Sequence, residues 1–91
     1  MMGMTAQVSL YPMRQESLAP AIDEALRTFR EYGLDVEPGT MSSLITGDDT
    51  AIFAALQEAF RRTAGQGHVV MIATLSNACP VPGEERRAAS R

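Results

Sequence analysis

No lysine occurs in this sequence: its eight basic residues are all arginine and face eleven acidic ones, for a net charge of −3. A surface that tracks nucleic-acid phosphates needs a basic excess, so neither DNA nor RNA is an expected partner. The single cysteine, Cys79, cannot close an internal disulfide, and no charged segment leads an apolar one at the N-terminus. Nothing therefore directs the chain to export, and the cytoplasm is the expected compartment. The longest apolar stretch, "VVMIA" at 69–73, falls far short of the ~20 residues that cross a bilayer. One histidine and one cysteine are also too few for a zinc site, which usually takes four ligands, so no metal is expected.

What the sequence does contain is an ordinary folding composition, 45% hydrophobic and 21% charged over 91 residues. A disordered chain would be poorer in apolar residues. A domain of this size hides only somewhat more than about 60% of its unfolded surface. The core is thin, and partner subunits are expected.

Residues 5–11 are rich in strand formers and alternate loosely, with Pro12 expected to end the strand. In the following helix Leu18, Ile22, Leu26 and Phe29 share one stripe, with Ala25 beside it. Ser17 is the expected N-cap and Gly33 the expected stop, and Pro20 falls in the first turn, where its missing N–H costs little. "LDVEPGTMSSLIT" reads as two short strands around a turn at Pro38 and Gly39. Gly47 then breaks the pattern, Asp48 or Asp49 caps a second helix, and Ile52, Phe53, Leu56 and Phe60 form its stripe. A fourth strand spans "HVVMIATLSNA".

The order strand, helix, strand, strand, helix, strand amounts to two right-handed crossovers, which interleave into one antiparallel sheet with both helices on one face. The expected architecture is α+β, ferredoxin-like βαββαβ, over residues 5–80, with an N-terminal extension at 1–4 and a polar tail at 81–91. Strand alternation turns Val8 and Leu10 toward the helices, and Gln7, Ser9 and Tyr11 toward the open side. It likewise turns Val69, Met71, Ala73 and Leu75 inward and His68, Val70, Ile72, Thr74 and Ser76 outward. The third strand fits either register, with Ser42 or Ser43 outward. Such a mixed face reads either as a subunit interface or as a pocket for a small polar ligand.

His68 and Cys79 lie eleven positions apart, more than about 30 Å along an extended strand at roughly 3.3 Å per residue. They are not a catalytic pair within one chain. His68 reads as a strand-end residue and Cys79 as a small semi-buried hydrophobe.

"VSLYPM", "MSSLITGD" and "GHVVMIATLSNACP", in this order and on these elements, resemble the thiamine-binding protein family. These are single-domain relatives of the YkoF-type hydroxymethylpyrimidine/thiamine-binding proteins. The resemblance covers residues 5–80 and implies a ferredoxin-like fold, a homo-dimer or homo-tetramer, and non-catalytic binding of thiamine or its pyrimidine, with no cofactor and no enzymatic step. YkoF-type chains carry two copies of the domain, whereas this chain has one.

Thiamine joins an aminopyrimidine, with donors and acceptors on one edge, to a cationic thiazolium. Hydroxyls or an amide suit the first, and an aromatic face or carboxylate the second. On matched motif positions and the face argument, Ser9, Ser43, Thr74, Ser76 and Asn77 are candidates for the pyrimidine, and Tyr11 and Asp48 for the cation. Asp48 reads first as a helix cap, and Tyr11 equally as an interface aromatic. Few basic residues lie near these positions, which favours unphosphorylated forms. The competing reading is an interaction or regulatory domain, of the amino-acid-sensing kind, whose open face is only a subunit interface. An RNA-recognition domain would need aromatics on its central strands, where this chain offers only Tyr11.

Overall fold

Alternation of Met4, Ala6 and Val8 with Thr5, Gln7 and Ser9 gives β1 (Gly3–Met13) one buried and one open face. The computed structural model describes residues 2–14 and 17–78, and the expectations for Cys79 and the tail at 81–91 lie outside them. β1 is followed by α1 (Ala19–Glu31), β2 (Asp35–Pro38), β3 (Ser43–Asp48), α2 (Asp49–Ala64) and β4 (His68–Ser76). The strands form one antiparallel sheet in the order β2-β3-β1-β4. The fold is the ferredoxin-like βαββαβ arrangement that the element order implies. Among the described residues no helix is long and apolar enough to cross a membrane.

Three local expectations are revised. β1 begins at Gly3, and Met4 belongs to the core, so the expected N-terminal extension is shorter. The strand also runs through Pro12, which lies opposite Val69, to Met13. β3 pairs with β1 only from Gly3↔Asp48 to Val8↔Ser43, so beyond Val8 no strand among the described residues pairs with that edge of β1, and a residue lacking an N–H is tolerated there. Gly47 does not break β3. It pairs with Met4, and a Cβ there would lie 2.6 Å from Leu34 Cδ2, so the glycine lets Leu34 pack against the strand.

Both helices press on the sheet mostly through small residues, with Phe29 on α1 and Ile52 on α2 as the large buried side chains. α1 buries Ala21, Ala25, Thr28 and Phe29, and α2 buries Ile52, Ala55, Ala59 and Thr63. The two threonines bury their hydroxyls by donating to carbonyls four residues back, Thr28 to Glu24 and Thr63 to Ala59, each at 2.8 Å. α1 has Leu18 rather than Ser17 at its N-cap and carries Pro20 in its first turn. It ends as expected at Gly33, whose φ of +76° accompanies the Leu34 N–H to Phe29 C=O bond of 3.2 Å.

The expected stripe of α2 is only half right. Phe53 and Phe60 are 57% and 43% exposed. Arg62 donates to Glu58 at 2.8 Å, to Glu31 at 2.9 Å and to Thr28 Oγ1 at 3.1 Å, which fixes the Glu58/Arg62 flank of α2 against α1. At about 100° per residue, the two phenylalanines fall on the opposite flank, away from α1. Alanine and threonine occupy the stripe beneath because they permit closer approach of helix and sheet.

Candidate functional site

Cross-strand register orders the open face into rows. Asp35, Thr46, Thr5 and Ser76 lie side by side across all four strands. Thr46 is buried, and its Oγ1 lies 3.5 Å from Thr5 Oγ1. The next row is Glu37, Leu44, Gln7 and Thr74, then Ser9 with Ile72, Tyr11 with Val70, and Met13 with His68. One end of the face is therefore lined by hydroxyls and the other by apolar groups. Val70 and Ile72 are 47% and 54% exposed, and Tyr11 and Met13 are exposed beside them.

This register divides the candidate residues. Ser9, Tyr11, Thr74 and Ser76 do occupy the open face, with Ser9 and Thr74 on neighbouring rows. Ser76 is already engaged, since its Oγ accepts the Ala78 N–H at 3.0 Å. Asn77 stands past the end of β4, where its Nδ2 donates to Met2 Sδ at 3.5 Å. Asp48 is at the same end. It is the residue before α2, its side chain makes no capping bond, and its buried Oδ1 has no hydrogen-bond partner. From the Thr5 row to Tyr11 is six residues of strand, about 20 Å, so Tyr11 and Asp48 do not meet around one small ligand.

Ser43 is a correction. It pairs with Val8, whose side chain is buried under the helices, and directly opposed residues share a face. Ser43 thus belongs to the helix side, and Ser42 is the residue on the open side, accepting from Gln7 Nε2 at 3.1 Å. The doubt over register in "TMSSLIT" is resolved by Ile45, which is fully buried between Ala6 and Val36.

The concave feature that sequence reasoning missed lies on Ser43's side of the sheet. It is a groove of about 450 Å³, measured out to its open mouth, between α1, the second half of β1 and the β2–β3 hairpin. Val8, Leu10, Ile22 and Leu26 give it apolar walls, and Thr40, Ser42 and Ser43 bring hydroxyl-bearing residues to its hairpin side. Every described residue lining it is uncharged. Apolar walls with few polar groups are the lining pattern of small-molecule sites. The only sequence signal for it was that the helix after β1 has a wide apolar stripe while the hairpin strands are short.

Among the described residues no cluster of three His, Cys, Asp or Glu side chains stands at metal-binding spacing. His68 is exposed at the start of β4, opposite Met13. The Asp49 carboxyl is held below its ordinary value, first because the Met2 N–H donates to it at 3.2 Å.

The fold recurs in solved structures. A hypothetical protein of Methanocaldococcus jannascii superposes with a TM-score of 0.84 at 25% identity, covering 99% of this chain and 96% of that one. A domain of unknown function from Bacillus cereus gives 0.77 at 17% identity, over 99% and 91%. A proposed thiamine biosynthesis/salvage protein of Thermotoga maritima gives 0.78 at 20% identity, over 98% and 99%. No curated protein matches the sequence. The model of the YKOF-related family matches residues 3–82, nearly the whole chain, and the protein belongs to that family.

Proposed function

We propose that the protein is a non-catalytic binder of thiamine or of its hydroxymethylpyrimidine moiety, serving to sequester, sense or deliver it. The observation that carries this reading is the apolar-walled groove beside Ser43, whose described lining is uncharged, in a member of the YKOF-related family. A further support is the similarity in fold to the proposed thiamine biosynthesis/salvage protein. Apolar walls suit a flat methylated pyrimidine, and hydroxyls suit its polar edge. With no basic group among the described residues of the lining, these residues offer a phosphate no ion pair. Unphosphorylated ligands are favoured.

In this reading the open face has a separate task. Tyr11, Met13, Val70 and Ile72 form a contiguous apolar half that a second copy of the chain would cover, giving a dimer or tetramer. Titration calorimetry with thiamine and hydroxymethylpyrimidine, with the oligomeric state followed by sedimentation, tests both parts. Heat of binding with one site per chain is the expected result. No heat and no thermal shift at millimolar ligand, from an oligomer that sediments intact, would leave self-association as the whole function of the face and end the binding proposal.

A further inference from the structure

The longest apolar run of the chain, "VVMIA", lies in β4, and no residue of β4 is buried. Ala6 and Val8 of the adjacent β1 are buried under the same helices. β4 stands at one end of the sheet, and among the described residues no strand pairs with its outer edge. Even Leu75, which faces the helices opposite the fully buried Ala6, is 39% exposed. An apolar strand left this bare is a surface still to be covered.

Ladder parity shows what that edge presents. The Asp49 N–H donates to the Met2 C=O at 2.8 Å, and the exchange recurs at every second residue of the β1–β3 pair. Even-numbered residues of β1 therefore turn their backbone toward β3, and odd-numbered ones toward β4. From Thr5↔Ser76 to Met13↔His68, β4 answers them with its even-numbered residues. Val69, Met71, Ala73 and Leu75 thus turn their N–H and C=O groups outward. None of the four is a proline, and β4 holds no charged residue. The opposite edge of the sheet is built differently. β2 spans only Asp35–Pro38, carries Asp35 and Glu37, and by the same alternation turns Pro38, which has no N–H, outward. Shortness, charge and proline are the means by which sheet edges avoid pairing. β2 has all three, and β4 has none.

We propose that the outer edge of β4 pairs with β4 of a second copy of the chain, antiparallel across a two-fold axis at Ile72, so that two sheets become one. This register aligns the strand over its whole length. Val69 then lies opposite Leu75 of the second copy and Met71 opposite its Ala73, and every outward group of the edge is met, by about eight backbone bonds per dimer. On the open side Ile72 meets its own counterpart, and Val70 meets Thr74 of the second copy. α2 packs toward β4 and α1 toward β2, so exposed Phe53 and Phe60, on the flank of α2 away from α1, stand at the rim of the seam. A second β4 is the fitting occupant because it brings no charge and a full set of donors, whereas the β2 edge brings two carboxylates and lacks one. Pairing β4 with β4 also closes at two copies, while β4 on β2 would run head to tail without closing. The edge contact is distinct from stacking of the open faces and independent of the thiamine reading.

Three readouts on the full chain test this. Ala73→Pro removes an N–H that β1 does not use, so the subunit is expected to fold and to sediment at half the wild-type mass. In the wild type, the Met71 and Ala73 amides are expected to resist hydrogen exchange as well as that of Ile72, and the α-protons of Val70 and Thr74 to give a strong NOE. Within one strand those two residues stand about 13 Å apart, so the signal arises only between copies. A monomeric wild type, an unchanged mass for folded Ala73→Pro, or outward amides that exchange freely overturns the proposal. Protected outward amides without the Val70–Thr74 signal overturn it too, and assign the edge to another segment, such as residues 79–91 of the same chain. Should Ala73→Pro fail to fold, the two wild-type readouts decide. Thiamine binding, read separately by calorimetry, stands or falls by itself.

Discussion

Replacing Gly39 with alanine perturbs the hairpin that walls the groove, and the structure gives the size of the effect. A Cβ on Gly39 would stand 2.5 Å from the Ser42 carbonyl oxygen, an atom of the backbone that cannot swing aside. Carbon and carbonyl oxygen ordinarily approach no closer than about 3.3 Å, so the strand ends must part by roughly 0.8 Å. The Gly39 N–H to Ser42 C=O bond, now 2.8 Å, is then pushed past the ~3.2 Å limit of good geometry. Losing it costs about 0.5–1.5 kcal/mol, and residual angle strain adds about 1 kcal/mol. Alanine's stiffer unfolded chain returns about 0.4–1 kcal/mol.

The net expectation for Gly39→Ala is a loss of about 1 kcal/mol, or a fall in Tm of about 4–8 °C for a domain of this size. Urea unfolding measures it, and hydrogen exchange at residue 39 locates it. An unchanged or raised midpoint with full protection of that amide would refute the steric reasoning. Gly33 supplies the contrast. Its φ is +76° and a Cβ added to it would meet no atom within 4 Å, so asparagine, which tolerates the left-handed region, is accepted there but not at Gly39. A larger loss for Gly33→Asn than for Gly39→Asn would reverse that logic.

Two further outcomes are expected. Asp49 titrates below its ordinary 3.8 because it accepts the Met2 N–H. With the folded value depressed, its stabilisation is complete above the ordinary value and disappears as pH falls through the folded one. Denaturation curves from pH 7 to pH 2 should show wild type above Asp49→Asn at neutrality and the two converging in the acid limb; a constant gap would disprove the linkage. On α2, Ile52→Ala should cost about 2–5 kcal/mol, whereas Phe53→Ala, at an exposed position, should cost less than about 1 kcal/mol. Equal losses by urea titration would mean that the phenylalanine flank is part of the core after all.

Much of the fold was legible because it rests on local periodicity. Alternation in β1 and β4 assigned both faces correctly, and Gly33 and the Pro38–Gly39 turn marked where the chain reverses. The stripe of α2 was misread because apolar size is a poor guide to depth. Ile52, Ala55, Ala59 and Thr63 can approach the sheet closely, while Phe53 and Phe60 are too large for that stripe and stand on the flank away from α1. The strand end was misplaced at Pro12 because the rule against proline depends on which neighbours a strand has.

The sequence by itself determined the βαββαβ order, the family resemblance and the polar and apolar sides of β1 and β4, since each is written in short-range pattern and composition. Only the tertiary structure decided that Ser43 lies under the helices, that Tyr11 and Asp48 stand at opposite ends of the sheet, and that a groove opens beside Leu10. These depend on the register between strands distant in sequence and on where β3 stops. A shift of one residue in that pairing would turn Ser43 to the other face.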